Sequence, residues 1–314
     1  MYLNTFAPSL NPIDLTQTEE FESLLKSAAD LGIPVKLPVR YQSRNLVLNG
    51  LRFHCIEWGE PTAPPIVLLH GGNQTAHSWD LVALHLADRF HLVALDQRGH
   101  GDSEWPRDGE ASRQAMADDA FQLIEALGLK RPIICGHSMG GIVTMTLLAA
   151  HPTIASKAVL VDVGPELSPE GATVIRRFVG TVHEVGSIEE FIDRVADYDP
   201  FRSREHIART LRYNLMWRTD GKLVSKHDPR RFEIQHTEAS TTERPTYEDV
   251  ARIVCPTLIT RGEQSRVLMP EMAERFVAAL PVGKLVTVPK CGHNVHSQNT
   301  PGFLEVVVPF LERG

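Results

Sequence analysis

The sequence predicts an α/β protein with a mostly parallel sheet and a helical insertion. Short apolar runs alternate with helical patterns over residues 66–161, and the alternation resumes from residue 257. Such alternation is typical of parallel strands that are covered by helices on both faces. Between the two stretches, residues 165–246 look charged and helical. We therefore expect one core domain with a cap inserted between two strands, over the sheet edge where open α/β sheets bind ligands.

Composition restricts the class of protein. A chain of 314 residues that is 42% apolar can bury a full core, in one large α/β domain or two small ones. Its net charge of −7 argues against nucleic acid as a partner. No apolar run reaches the roughly 18 residues of a spanning helix, and no cationic segment precedes an apolar one at the start. The four cysteines are far apart, without metal-type pairing. We predict a cytoplasmic protein with reduced thiols, no membrane contact and no metal.

Residues 1–44 are predicted to form an N-terminal extension with one short helix. Thr16 and Glu19 have the spacing of a capping box, and Gly32 is placed to end the helix. The helix has one apolar stripe, formed by Phe21, Leu24, Leu25, Ala28 and Ala29.

The core elements follow in order along the chain. Asn49 and Gly50 indicate a type I′ hairpin turn between the first two strands. Eight strands are predicted at residues 45–48, 51–58, 66–69, 91–95, 132–135, 158–161, 257–260 and 285–288. Helices are predicted at residues 78–87, 111–127, 142–150 and 270–280, and a closing helix follows Pro301. These elements assign residues 45–164 and 247–314 to the core and residues 165–246 to the cap.

The pentapeptide G-H-S-M-G at residues 136–140 carries the predicted chemistry. It lies between a predicted strand and a predicted helix, which is the context of a nucleophile elbow. A serine at such a turn has a strained backbone, and glycines beside it leave room because they lack a Cβ atom. We therefore predict that Ser138 is a nucleophile. The alternative is a serine in an ordinary glycine-rich turn.

His293 is the predicted general base. It follows the last predicted strand and precedes the closing helix, so its loop can bring an imidazole over the elbow. Imidazole changes charge near neutral pH, which suits proton transfer. His296 lies three residues farther on and is interpreted as packing or surface. The side chain of His137 must point away from that of Ser138, so we expect it to pack against neighbouring strands.

Two backbone N–H groups are predicted to stabilise an oxyanion. Met139 directly follows the nucleophile, and Gly72 lies in the loop H-G-G-N after the strand 66–69. Glycines in that loop let the backbone approach a substrate closely. A purely structural turn is the alternative. Residues 96–103, D-Q-R-G-H-G-D-S, follow the predicted strand 91–95 and are interpreted as scaffold rather than as direct chemistry.

These motifs resemble the α/β-hydrolase fold superfamily, in its cap-bearing branch of esterases, lactonases and C–C hydrolases. The resemblance depends on residues 70–72, 96–103, 136–140 and 292–293, and it runs from about Leu51 to the C-terminus. It implies an α/β-hydrolase fold and a serine hydrolase without a cofactor. The motifs are specific for this fold and say little about the substrate.

The triad acid is where this sequence departs from the family pattern. Most relatives carry it in the loop after the strand 257–260, and this chain has R-G-E-Q-S-R there, at 261–266. Other branches carry it at the end of the strand after the elbow helix, and this chain has Asp162 there. The resemblance therefore implies Asp162 as the acid and Glu263 as the alternative, while a dyad without an acid stays open. Asp162 could instead be a strand-end carboxylate that caps the start of the cap.

The predicted cap is rich in basic residues. Between residues 202 and 231 it has nine arginines and lysines and three acidic residues. A solvated helix face is the preferred interpretation, and steering of an anionic substrate is the alternative. Four larger side chains are expected to pack in the core of the cap, and a role in lining a substrate pocket is the alternative: Phe178, Tyr198, Met216 and Trp217.

The predicted activity is hydrolysis of a carboxylic ester or lactone through an acyl-enzyme on Ser138. The resemblance also admits C–C bond hydrolases and cofactor-independent perhydrolases with the same triad. A catalytically weak ligand-binding receptor on this fold is a further alternative. A serine nucleophile argues against the dehalogenases and epoxide hydrolases of this fold, which use aspartate. We expect a small-molecule substrate and no cofactor, and we leave a homodimer open.

Overall fold

The computed structural model describes residues 11–173, 184–230 and 244–313. Its strands are β1 Ile13–Asp14, β2 Tyr41–Leu48, β3 Leu51–Trp58, β4 Pro65–Leu69, β5 His91–Leu95, β6 Ile133–His137, β7 Lys157–Val161, β8 Glu184–Val185, β9 Leu215–Trp217, β10 Leu223–Ser225, β11 Thr257–Gly262 and β12 Gly283–Val288. Its α-helices include α1 Glu19–Asp30, α2 Asp80–Leu86, α3 Arg113–Ala126, α4 Met139–Ala150, α5 Ile188–Tyr198, α6 Arg204–Leu211, α7 Tyr247–Ala251, α8 Pro270–Ala279, α9 Val295–Gln298 and α10 Thr300–Glu312. Within these ranges, every helix is too short or too polar to cross a membrane.

The main sheet has nine strands in the order β1-β2-β3-β5-β4-β6-β7-β11-β12. Along this order, the neighbouring strands β1, β2, β3 and β5 pair antiparallel. The strands β5, β4, β6, β7, β11 and β12 pair parallel. The predicted α/β fold with a mostly parallel sheet is confirmed. The sheet has one strand more than the predicted eight, because β1 of the N-terminal extension pairs with β2, Ile13 opposite Ser43. A strand of two residues is too short to show a hydrophobic period.

Two hydrophobic layers cover the two faces of the sheet. Ile66 and Leu68 of β4 contribute to one layer, whereas Val67 and Leu69 contribute to the other. Alternate residues of a strand point to opposite faces, so this fully apolar run is buried on both sides. Because β4, β6 and β7 are parallel, their carboxyl ends meet at one edge of the sheet, beside the turns that follow these strands.

The N-terminal extension packs into the core. Phe21 and Leu24 of α1 are buried, and the Phe21 ring lies 5.6 Å from the ring of Tyr41. The helix begins two residues later than the capping box predicted, with Thr18 as its N-cap. The hydroxyl of Thr16 instead donates to Asp14 Oδ1 at 2.8 Å, and that of Thr18 accepts from Phe21 N.

Residues 184–230, which we call the insertion, contain strands as well as helices. The strands β8, β10 and β9 form a separate three-stranded sheet, where the sequence predicted helices. The spacing of Ile207, Leu211 and Leu215 predicts one helix that includes Leu215, yet Leu215 begins β9. Met216 and Trp217 are exposed at 38% and 67%, not packed in a core as predicted. Phe178, Arg231 and the side chain of Tyr198 lie outside the described residues.

The basic residues of the insertion are paired with acids. Within the described range 202–230, all eight arginines and lysines make ion pairs. Most of these pairs are partly exposed, as a solvated face predicts. One is buried: Arg209 Nη1 of α6 lies 3.2 Å from Asp80 Oδ2 of α2, with side-chain exposures of 4% and 1%. His77 Nδ1 also lies 3.0 Å from Asp80 Oδ2, and Tyr213 stacks on His77.

Arg209→Met is expected to lower the free energy of unfolding by about 3 kcal/mol, because it leaves the buried carboxylate of Asp80 without its cationic partner. Guanidinium-induced unfolding measures the change. Arg218→Met is the matched control. It removes exposed ion pairs with Asp220 and Glu184, so a much smaller change in the free energy of unfolding is expected. Equal unfolding free energies for the two variants would contradict a stabilising role for the Arg209–Asp80 pair.

Candidate active site

Ser138 lies at the sharp turn between β6 and α4. Its φ of 50° and ψ of −113° are unusual for a residue with a side chain. Neighbouring glycines are required by close backbone contacts: a Cβ atom on Gly136 would lie 2.4 Å from Gly140 O, and one on Gly140 would lie 2.3 Å from Leu69 O. The turn is held by Ser138 N, which donates to Val161 O at 3.2 Å. The strand–turn–helix context that the sequence predicted is therefore present.

Three predicted site residues meet at this edge of the sheet. His293 follows β12, and its Nε2 accepts a hydrogen bond from Ser138 Oγ at 2.9 Å. Its Nδ1 donates to Asp162 Oδ2 at 2.8 Å. The His293 side chain is 12% exposed and that of Asp162 is fully buried. This arrangement can move a proton from the hydroxyl to the imidazole while a carboxylate holds the other ring nitrogen.

Asp162 directly follows β7 and has a positive φ of 49°. Its Oδ1 accepts from Gly262 N at 3.0 Å, and its Oδ2 accepts from the hydroxyl of Ser265. Gly262 ends β11 and Ser265 lies in the loop after it, where the family resemblance places the acid of most relatives. In this chain that segment therefore supplies hydrogen bonds to a carboxylate that directly follows β7.

Glu263, the alternative acid, lies elsewhere. It is exposed, and its Oε2 accepts from Lys290 N at 3.1 Å. Since His293 Nδ1 donates to Asp162, the structure brings Asp162 and not Glu263 to the imidazole.

His137 and Gln74 connect the two loops beside the elbow. His137 Nε2 donates to the carbonyl oxygen of His293 at 3.0 Å, and its Nδ1 lies 3.1 Å from Gln74 Oε1. Gln74 Oε1 accepts from Gly71 N at 2.9 Å, and its amide nitrogen donates to Asn294 Oδ1 at 3.2 Å. Burial lowers the pKa of His137 well below its usual value. Sequence analysis missed Gln74, because its partners are far away in the chain.

His296 is buried rather than at the surface. Its ring stacks on Trp79 with centroids 4.1 Å apart, and neither ring nitrogen has a hydrogen-bond partner among the described residues. Burial, with smaller contributions from Arg202 and His293, lowers its pKa to about 3. These facts agree with a packing role.

The predicted oxyanion donors lie at the start of α4 and in the loop after β4. Met139 is the first residue of α4. Gly72 is exposed, and a Cβ atom added to it would meet nothing within 4 Å. The adjacent N–H groups are used within the protein, since Gly71 N donates to Gln74 and Gly140 N donates to His70 O. The assignment of Gly72 and Met139 stays a prediction.

The segment 96–103 is tied into the scaffold. His54, Asp96 and Asp102 form a group whose ligand-type atoms lie within 4.8 Å of one another. Its members already have partners: His54 Nδ1 bonds Asp96 Oδ2 at 2.7 Å, and Lys226 Nζ of the insertion lies 2.6 Å from Asp102 Oδ1. Asp96 also accepts from Ala76 N at 2.6 Å. These contacts favour the scaffold role that the sequence predicted.

Comparison with known proteins extends this description. The profile of the Alpha/beta hydrolase family matches residues 66–305. Esterase Rv0045c of Mycobacterium tuberculosis is 28% identical over 310 residues, which cover 96% of this chain and 99% of that protein. A crystal structure of that esterase aligns with a TM-score of 0.74 at 25% identity, over 96% of this chain and 100% of the other. The 2-(acetamidomethylene)succinate hydrolase of Mesorhizobium japonicum is 26% identical over 273 residues, 86% of this chain and 95% of that protein.

The family profile covers well over half of the chain and includes the strands from β5 to β12, the elbow and the loop that bears His293. On this basis, together with the nine-stranded sheet, the chain belongs to the alpha/beta hydrolase family.

Proposed function

We propose that this protein is a serine hydrolase that cleaves a carboxylic ester or lactone through an acyl-enzyme on Ser138. The observation that supports the proposal is the pair of hydrogen bonds at His293, 2.9 Å from Ser138 Oγ and 2.8 Å to Asp162 Oδ2. A nucleophile in contact with a base, and a base oriented by a third group, are the parts that acyl transfer needs.

The first half of the proposed reaction forms the acyl-enzyme. Ser138 Oγ attacks the carbonyl carbon while its proton moves to His293 Nε2. The carbonyl oxygen becomes an oxyanion that accepts hydrogen bonds from the N–H groups of Gly72 and Met139. A donor of this type contributes about 2.7–4 kcal/mol at the transition state. The C–O bond then breaks, and the leaving alcohol takes the proton from His293.

The second half returns the enzyme to its starting state. A water molecule gives a proton to His293 Nε2 as its oxygen attacks the acyl carbon. The bond to Ser138 Oγ breaks, the proton returns to that oxygen, and the carboxylic acid leaves. Asp162 keeps the other proton on His293 Nδ1 and stabilises the imidazolium in both halves. Gly262 N and Ser265 Oγ hold its carboxylate in place.

Two observations favour an ester over other bonds. The esterase of Mycobacterium tuberculosis matches nearly the whole chain, including the N-terminal extension. In addition, all basic residues of the described range 202–230 are in ion pairs, which favours a substrate that does not need several cationic partners there. The second candidate is hydrolysis of a non-ester bond, which the similarity to 2-(acetamidomethylene)succinate hydrolase favours.

A substrate panel combined with covalent labelling tests the proposal. The full chain is assayed with p-nitrophenyl esters of increasing acyl length, with lactones, with 2-(acetamidomethylene)succinate and with a vinylogous diketone. We expect saturable turnover of at least one ester or lactone, and one fluorophosphonate adduct, located on the peptide that contains Ser138. Turnover of only the non-ester substrates would replace the proposed bond type by the second candidate. Absence of both turnover and labelling in folded protein would overturn the proposal.

A further inference from the structure

One amide side chain joins the insertion to the loop that carries His293. Gln298, at the end of α9, accepts a hydrogen bond from Gly292 N on its Oε1 at 2.7 Å. Its Nε2 donates to Asp199 Oδ1, at the end of α5, at 3.0 Å. We infer that Gln298 is a positioning residue through which the insertion sets the main chain beside His293. This inference rests on the proposed function, because it assigns Gln298 to the same reaction.

Asp199 is a firm anchor for this link. Its side chain is fully buried. Oδ2 accepts from Arg202 Nε at 2.6 Å, and Oδ1 also accepts from Phe201 N at 3.3 Å. These bonds orient the carboxylate without help from Gln298, so the amide meets an acceptor whose position the insertion determines.

Gly292 also contacts the insertion directly. A Cβ atom added to Gly292 would lie 3.3 Å from Phe201 Cε2 and 3.4 Å from Gln298 Oε1. The Phe201 ring therefore packs closely against the backbone at Gly292. On its other side, the main chain of His293 is held by the hydrogen bond from His137 Nε2. The backbone at residues 292–293 thus lies between His137 of the core on one side and Phe201 of the insertion and Gln298 of α9 on the other.

The position of this backbone decides the geometry of the imidazole. His293 must meet Ser138 and Asp162 at the same time, at 2.9 and 2.8 Å. A misplacement of about 1 Å in such an arrangement can cost about 10²-fold in rate. Loss of the Asp199–Gln298 bond should therefore lower kcat, with little change in KM if the substrate-binding surface is intact.

Gln298→Glu is the most informative substitution. The new side chain has the same shape, but it turns a carboxylate oxygen toward Asp199, and the repulsion between the two carboxylates weakens its hold on Gly292 N. We expect kcat to fall by about 10- to 100-fold and KM to stay within about threefold. Gln122→Glu, the same change at an exposed position on α3, is the matched control and should leave kcat unchanged. Gln298→Met removes the donor to Asp199 without adding charge and should also lower kcat. It provides a second test if Gln298→Glu does not fold.

A rescue experiment separates positioning from simple damage. Asp199→Asn combined with Gln298→Glu places an amide donor opposite the new carboxylate, so the bond forms again with its direction reversed. We expect kcat of the double variant to recover only in part, because an amide NH2 group that faces residue 298 cannot also accept from Phe201 N. A Gln298→Glu variant with unchanged kcat, or a double variant without recovery, would overturn the inference.

Amide hydrogen exchange distinguishes failure of this link from failure of the proposed function. Exchange of the peptide that contains Gly292 N–H should become faster in Gln298→Glu and slow again in the double variant. This result does not require ester turnover. If the exchange pattern holds but no ester is cleaved, then the proposed function fails and the link stands. Exchange that is unaffected by Gln298→Glu would reject the link itself.

Discussion

Ser138→Ala is expected to reduce kcat for ester hydrolysis by a factor on the order of 10⁶, while KM changes little. The hydroxyl in contact with His293 Nε2 is the proposed attacking group, and alanine leaves nothing for the imidazole to activate. Replacing His293 in the same variant should lower kcat little further, because the effects of residues that act as a unit are not additive. Steady-state kinetics on the best ester of the panel, at high enzyme concentration, measure this change.

Ser78→Ala is the matched control for this substitution. The Ser78 hydroxyl is buried but has no hydrogen-bond partner among the described residues, so its removal should leave kcat within about twofold. Fluorophosphonate labelling should be lost in Ser138→Ala and retained in Ser78→Ala. A Ser138→Ala variant that still forms the adduct and hydrolyses esters would place the nucleophile elsewhere.

Asp162→Asn is expected to lower kcat by about 10⁴-fold, the effect of the equivalent change in the well-studied serine protease triad. Asparagine keeps the size of the side chain and tolerates the positive φ of 49° at this position. The substitution therefore tests the charge and the hydrogen bond to His293 without forcing a new backbone conformation. Circular dichroism and the unfolding midpoint of the variant check that the fold is intact.

Glu263→Gln is the comparison that decides between the two candidate acids. Glu263 is exposed and bonds Lys290 N, and a glutamine carbonyl can accept that bond as well. We expect kcat to stay within about threefold. The opposite pattern, with full activity in Asp162→Asn and a large loss in Glu263→Gln, would assign the acid to the loop after β11.

The pairing of Asp162 with His293 shows what a sequence leaves open about a site. Both candidate acids satisfied the order nucleophile, acid, histidine, so motif spacing alone could not separate them. The Asp162 carboxylate is held toward His293 by Gly262 and Ser265, which donate to it from about 100 residues later in the chain. Contacts over such distances leave no local pattern, and Gln74 and Gln298 escaped prediction for the same reason.

The insertion and the extension show a different limit. The alternation of apolar and polar residues is visible only over several residues. Strands of two or three residues such as β1, β8, β9 and β10 are therefore missed. Ile207, Leu211 and Leu215 are spaced four residues apart, which fits the period of a helix. The chain instead leaves α6 at Leu211 and turns into β9.

The amino-acid sequence by itself determined the alternating α/β core and the strand–turn–helix context of Ser138. These features follow from short-range patterns, since apolar period, glycine placement and turn chemistry act within a few residues. Only the tertiary structure decided which carboxylate reaches His293, where Arg209 is buried and how Gln298 joins the insertion to the histidine loop. Those outcomes depend on side chains that are distant in the chain and are brought together only when the sheet and its insertion have packed.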